Sequence, residues 1–173
     1  MKVRPATQDD APAVATIYGH HVLHGTGTFE EVPPSTADMA ARMQSVLDKG
    51  FPWIVVEEAG RIVAFAYAGP YRERSAYRFT AEDSVYVAPN ALGKGYGKAA
   101  LSAVVEACRA KGLRRLIAVI GDTRNAGSIA LHRALGFEPC GVLPAVGYKA
   151  GQWLDVPLMQ LPLNGGDTTL PPA

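Results

Sequence analysis

Apolar residues recur along the chain at two different spacings, and the switches between them mark out its elements. Ala11, Val14, Tyr18 and Val22 follow helical spacing behind Thr7 and Asp10, a pair suited to a helix start. Met39, Met43, Val46 and Leu47 repeat that pattern behind Ser35 and Asp38, and Gly50 closes the second helix. Gly25, Gly27, Pro33 and Pro34 predict a loop between the two. A short first strand is expected at Val3. Trp53 to Glu58 and Ile62 to Tyr67 read as strands joined by a turn at Ala59-Gly60. The stretch 72–79 is polar and aromatic without a period and reads as a loop. Ser84 to Val87 reads as a strand cut off by Pro89. A helix then runs to about Lys111, with Leu101, Val104, Val105 and Cys108 inward and Gly112 at its end. A strand over Arg115 to Ile120, a helix over 125–135 closed by Gly136, and strands around 137–143 and 153–161 complete the series. The order predicts a mixed α/β (α+β) single domain over residues 1–163, with a flexible tail at 164–173.

Composition narrows the picture by exclusion. With 48% hydrophobic and 19% charged residues, the 173-residue chain has enough apolar material for one buried core and speaks against wholesale disorder. A formal net charge of +1 without a long run of either sign argues against a nucleic-acid sleeve or a polybasic membrane anchor. Cys108 and Cys140 have no metal-ligating spacing, no metal is expected, and a reduced cytoplasmic setting fits. The N-terminal residues lack the apolar stretch of a signal peptide, and no apolar run is long enough to span a bilayer.

The densest chemistry follows the strand ending at Val87. Gly93, Gly95 and Gly97 alternate with Lys94, Tyr96 and Lys98 just before a helix. Glycines let the backbone approach a ligand closely, and a helix start adds free N–H groups with partial positive charge, so an anion such as a pyrophosphate is expected here. A dinucleotide fingerprint needs its third glycine one residue later, and Leu116 to Ile120 offers no acid for a ribose. A nucleotide-triphosphate loop needs a hydroxyl after Gly97-Lys98, where Ala99 stands. The pyrophosphate arm of coenzyme A is the remaining reading.

At Asn90-x-x-Gly93-x-Gly95 the chain resembles the GCN5-related N-acetyltransferase (GNAT) superfamily, although Asn90 replaces the usual Gln or Arg and Leu92 stands where Arg is common. The run from Asn125 through Ser128 and His132 to Gly136-Phe137 is similar to that superfamily's later motif, and its spacing puts those three side chains on one helix face. Four longer runs, 80–87, 117–122, 128–132 and 146–155, are similar to the phosphinothricin and methionine sulfoximine acetyltransferases, and this likeness extends from Val3 to about Leu163.

The resemblance implies a central, mixed, mostly antiparallel twisted sheet flanked by helices, with acetyl-CoA as acetyl donor. It implies a cofactor site at Val85, Val87, Gly93, Lys94, Gly95, Gly97, Lys98, Asn125 and Ser128, with an oxyanion taking a backbone N–H near Val87. It places the base for the amine at Glu82, just ahead of the strand, while alternation along a strand turns the adjacent Asp83 to the other face. His132 stands where many relatives carry a tyrosine and is the expected proton donor to the leaving thiolate. Phe29 and Glu30 correspond to a segment that packs on the substrate. The arginines at 72, 74 and 78 suit a carboxylate through bidentate guanidinium contacts, with Arg74 first and Arg72 second. The resembling enzymes are homodimers, so a homodimer is expected. Together these readings imply acetylation of the α-amino group of a small anionic substrate such as phosphinothricin, methionine sulfoximine or methionine sulfone. Acetylation of a protein N-terminus or an amine antibiotic is the alternative within enzymes, and a non-catalytic acyl-CoA-binding module is the alternative outside them.

Overall fold

The computed structural model describes residues 1–171, and the last two residues of the expected flexible tail lie outside the described residues. Seven strands form one sheet: β1 (Lys2–Pro5), β2 (Trp53–Glu58), β3 (Arg61–Pro70), β4 (Thr80–Val87), β5 (Arg115–Val119), β6 (Glu138–Lys149) and β7 (Gln152–Pro162). Four α-helices accompany them: α1 (Ala11–His24), α2 (Thr36–Asp48), α3 (Tyr96–Ala110) and α4 (Ala126–Arg133). Local chemistry accounts for several boundaries. Ser35 accepts a hydrogen bond from the Asp38 N–H at 3.1 Å and the Asp38 carboxylate accepts one from the Ser35 N–H at 3.1 Å, a reciprocal cap that starts α2. Ala59 and Gly60, at φ 48° and 74°, make the tight β2–β3 hairpin.

The sheet order is β1-β2-β3-β4-β5-β7-β6, and every neighbouring pair is antiparallel except β4–β5. Apolar side chains bury on both faces. One face packs Leu101, Val104 and Cys108 of α3 against Leu116, Phe137 and Met159. The other packs Val14 and Tyr18 of α1 and Met39 and Met43 of α2 against Trp53 and Phe65. Trp53 is therefore a core residue, whereas Trp153 is exposed and stacks edge-on against Tyr148.

Two strands differ from the sequence reading. β4 begins at Thr80 rather than Ser84, so Glu82 lies within the strand and not ahead of it. Thr80-Ala81-Glu82-Asp83 looks like a loop because a buried acid breaks the apolar alternation; a histidine from α4 provides the missing partner. β6 continues to Lys149 rather than stopping near Leu143. Pro139 and Pro144 disguise it, and the strand absorbs them through register shifts at Pro139/Gly141 and Leu143/Gly147, as an edge strand can. After Leu163 the chain turns back on β5, where Arg115 Nη2 lies 3.2 Å from Asp167 Oδ1 and Arg114 Nη2 donates to Thr169 O at 2.9 Å.

Candidate active site

The parallel pair creates the site. β4 and β5 are in register only from Thr80↔Arg115 to Asp83↔Ala118, and beyond those residues they separate. The Ala88 N–H donates to Val63 O and the Tyr71 N–H to Thr80 O, which fixes the phase of the β3–β4 ladder. Alternation then turns the N–H and C=O groups of Val85 and Val87 away from β3, toward the gap left by β5. His21 of α1 takes up one of them, with its Nε2 2.8 Å from Val87 O. A carbonyl can only accept, so Nε2 carries the hydrogen and the ring is the donor. Burial also pushes His21 below its usual 6.5, although the Val87 carbonyl works against that shift, so the ring favours the neutral form.

A cavity of about 920 Å³ opens from this gap. The predicted residues Val85, Val87, Gly93, Gly95, Gly97 and Lys98 line it on the β4–α3 side, and Asn125, Ser128 and His132 line it on the α4 side. Lys94 is exposed between the glycines, and its Nζ lies 3.5 Å from Asn90 O. The glycines serve two different purposes. Gly93 and Gly95 sit at φ 74° and 82°, where a Cβ would meet open space, so their requirement is conformational. At Gly97 the φ is ordinary, but a Cβ would come within 3.0 Å of Leu131 Cδ1 and Val87 Cγ2, so α3 needs a glycine there to lie close to the sheet. Gly95 caps α3 without a side-chain acceptor, which leaves the first N–H groups of a 15-residue helix facing the cavity mouth. This is a cradle of backbone donors suited to a diphosphate.

On α4, Asn125 Oδ1 accepts the Ser128 N–H at 3.2 Å and caps the helix. His132 is 3% exposed, with Nε2 3.0 Å from Asp83 Oδ2 and Nδ1 2.7 Å from Ser128 O. Both ring nitrogens are therefore engaged. Burial disfavours charge on His132, but the hydrogen bond and charge of Asp83 and the Ser128 carbonyl outweigh it and hold the ring above its usual value. Burial also pushes Asp83 up, against the pull of His132.

Glu82 faces the opposite side of β4, half-buried, and does not line the large cavity. Burial raises its carboxyl, Arg72 lowers it and Asp83 raises it again, with a net upward shift. On this face Glu30 receives Arg42 at 2.6 Å and the Tyr18 hydroxyl at 2.8 Å. Lys149 of β6 is buried and donates to Thr28 O at 2.6 Å, and Gly147 makes room for the Phe29 ring. The β6–β7 hairpin thus holds the α1–α2 loop that carries Phe29 and Glu30. Arg72 lies over the Tyr71 ring at 4.5 Å, and Arg74 is exposed where the short 3₁₀ turn Ser75–Tyr77 begins. The structure brings Glu82 and Arg72 near one another and leaves Arg74 at the surface.

Sequence reasoning missed His21, Arg42, Lys149 and the role of Asp83. His21 and Arg42 read only as helix residues and Lys149 fell between two expected strands, because their partners are 66, 12 and 121 residues away along the chain. For Asp83 there was a signal, a second acid beside Glu82 that strand alternation sends to the opposite face.

Among the described residues no group of three or more His, Cys, Asp or Glu is arranged to hold a metal ion, and no helix is long and apolar enough to cross a membrane. An open mixed sheet, a single parallel splay and a glycine cradle at its mouth together define an acyltransferase of the GNAT type. Residues 21–137 match the acetyltransferase (GNAT) family, and the chain belongs to that family. It is 53% identical over 169 residues to phosphinothricin N-acetyltransferase of Alcaligenes faecalis, covering 98% of this chain and 86% of that protein. It is 39% identical over 163 residues to an L-methionine sulfoximine/L-methionine sulfone acetyltransferase of Pseudomonas paraeruginosa, covering 94% of each. The crystal structure of a phosphinothricin acetyltransferase from Sinorhizobium meliloti in complex with AcCoA superposes with a TM-score of 0.95 at 48% identity, covering 99% of this chain and 92% of that one.

Proposed function

We propose that this chain transfers the acetyl group of acetyl-CoA to the α-amino group of a small anionic amino-acid-like molecule, such as phosphinothricin, methionine sulfoximine or methionine sulfone. The observation that carries the reading is the two-sided gap after Asp83. The N–H groups of Val85 and Val87 turn into the gap, the Asp83–His132 pair is on one face and the raised carboxyl of Glu82 is on the other. The bound donor supplies an activated acetyl thioester. The chain's residues then do five things. The α3 N-terminus and the turns at Gly93 and Gly95 bind the diphosphate. The Val87 N–H lies where an oxyanion can be met, and His21 fixes that residue from its carbonyl side. Glu82 takes a proton from the ammonium, directly or through water; its upward shift brings its basicity closer to that task. His132 holds the acid equivalent for the thiolate. Arg72 and Arg74 serve the substrate carboxylate, and Phe29 and Glu30 border its side chain.

The enzyme works in the cytoplasm, where acetyl-CoA is available, as a homodimer. Support for the dimer comes from β6, an exposed edge strand carrying Val142, Val146 and Tyr148 beside Trp153 of β7; an uncovered apolar edge of this kind invites pairing with a second copy. A monomer mass by light scattering at micromolar concentration would overturn that part. The activity is tested by thiol release from acetyl-CoA with phosphinothricin, methionine sulfoximine, methionine sulfone, glutamate, spermidine and an aminoglycoside. Turnover is expected on the first three. Preference for the polyamine or aminoglycoside would replace the substrate class, and no turnover on any would remove the reading.

A further inference from the structure

His132 is well placed to supply a proton but poorly placed to deliver one itself. Its Nδ1 is 2.7 Å from Ser128 O, and because a carbonyl only accepts, Nδ1 carries a hydrogen. Its Nε2 is 3.0 Å from Asp83 Oδ2, an acceptor when ionised. A ring between two acceptors is stable as the doubly protonated imidazolium. The side chains of His132 and Asp83 are 3% and 1% exposed, and Phe137 closes the pair edge-on with its ring centroid 4.9 Å from that of His132. Neither ring nitrogen is free to face the cavity.

Ser128 is. It lines the cavity, is half-buried, and its Oγ lies 3.3 Å from His132 Nδ1. Asp83, His132 and Ser128 thus form a single hydrogen-bonded file from the buried face of β4 to the cavity wall.

We propose that this file is the acid relay of the reaction, with Ser128 Oγ as the terminal proton donor, His132 as its source and Asp83 as the positioning residue that keeps His132 charged. The proposal rests on the acetyl-transfer reading above. As the carbon–sulfur bond breaks and its electron pair goes to sulfur, the Ser128 Oγ–H proton passes to the thiolate. The Nδ1 proton passes to Oγ in the same event. Serine is regenerated, His132 is left neutral with Nε2–H donating to the Asp83 carboxylate, and one proton from solvent restores the imidazolium. Proton and charge balance without any further reactant. The groups facing the pair leave it isolated: Ser128 from α4, the Phe137 ring, and Cys108 from α3, whose thiol burial and then the charge of Asp83 push up to about 12, so that it stays neutral.

Two kinds of measurement test this. The first needs no turnover. In ¹⁵N NMR of histidine-labelled protein, free and with acetyl-CoA, His132 is expected to be protonated at both nitrogens at pH 7, and in Asp83→Asn only at Nδ1. A neutral His132 in the parent, or no change in Asp83→Asn, overturns the file. The second is kinetic. At saturating acetyl-CoA, Ser128→Ala should lower kcat by about a hundredfold, within the usual range for an acid group, with Ser128→Thr restoring most of the rate. With an acetyl thioester of a low-pKa aryl thiol, which leaves without help, the Ser128→Ala loss should shrink to less than about fivefold, an extrapolation from the same acid–base range. An equal loss with both donors overturns the relay. Neither the parent titration nor the Ser128 arm depends on Asp83→Asn folding. If no amino acid is acetylated at all, the acetyl-transfer reading fails and takes the relay with it, while the NMR arm still decides the protonation of the pair.

Discussion

His21 Nε2 lies 2.8 Å from the carbonyl oxygen of Val87, so α1 grips the last residue of β4 at the edge of the gap. Removing that donor should let Val87 turn. His21→Ala is expected to weaken acetyl-CoA binding by roughly five- to tenfold, the scale of one hydrogen bond, and His21→Gln, which keeps an N–H, should lose less. Isothermal calorimetry distinguishes the two. The sign of the pH effect follows from the buried ring. Its folded pKa is depressed below 6.5, so the unfolded chain binds more protons below that pH. Acidification through 6.5 should therefore lower the melting temperature of the parent more than that of His21→Gln.

Glu82 sits between burial, which raises its pKa, and Arg72, which lowers it. As a base it acts when deprotonated, so kcat/KM should rise with pH through its raised value. Arg72→Ala removes the lowering charge and should move that acidic limb to higher pH, whereas Glu82→Gln should abolish the limb and cost about a hundredfold or more in turnover. An acidic limb at the same pH in Arg72→Ala would show that the profile belongs to another group.

Gly95 and Gly97 should fail in different ways. Gly95→Ala meets no neighbour but must hold φ 82°, at a cost of about 1–2 kcal/mol, and Gly95→Asn should recover part of it because asparagine tolerates that region. Gly97→Val should collide with Leu131 and Val87 and lift α3 from the sheet, and asparagine at that position should give no rescue. Melting temperature and acetyl-CoA affinity should fall together in Gly97→Val.

The hairpin that holds the acceptor loop can be separated from the donor cradle. A Cβ at Gly147 would overlap the Phe29 ring at Cε2, so Gly147→Val must displace that ring. Lys149→Met removes the ammonium that donates to Thr28 O. Both variants are expected to raise KM for the amino acid by about tenfold or more, in line with the loss of one or two polar or packing contacts, while acetyl-CoA affinity stays within twofold or so of the parent's. Parallel loss of both affinities would mean that the hairpin supports the whole fold rather than the acceptor side.

Much of this architecture could be read from local signals. The Ser35–Asp38 cap, the Ala59-Gly60 turn, the glycine loop and the spacing of Asn125, Ser128 and His132 are short-range patterns with direct physical causes. What escaped depends on tertiary pairing. The polar start of β4 makes sense only beside β5 and His132, and the prolines of β6 only on an edge with register shifts. The sequence reading sent Asp83 to the face away from Glu82, but nothing in the pattern along the chain told that it would meet the histidine 49 residues later. Likewise the three glycines looked alike as a motif, and only packing separates the two that need an unusual φ from the one that needs room.

The parting of β4 and β5 after Asp83 and Ala118 has a consequence for how such a molecule can change over generations. The N–H groups turned into the gap there are main-chain atoms, and no substitution short of proline at Val85 or Val87 deletes them. Recognition of that kind depends on side chains only at the few positions, such as His21 and Gly97, that hold the backbone in place. The opposite face is built from Tyr18, Glu30, Arg42 and Glu82, each replaceable by a single codon. A lineage descended from this chain can thus alter the molecule it modifies one residue at a time, while its grip on the donor is inherited with the backbone.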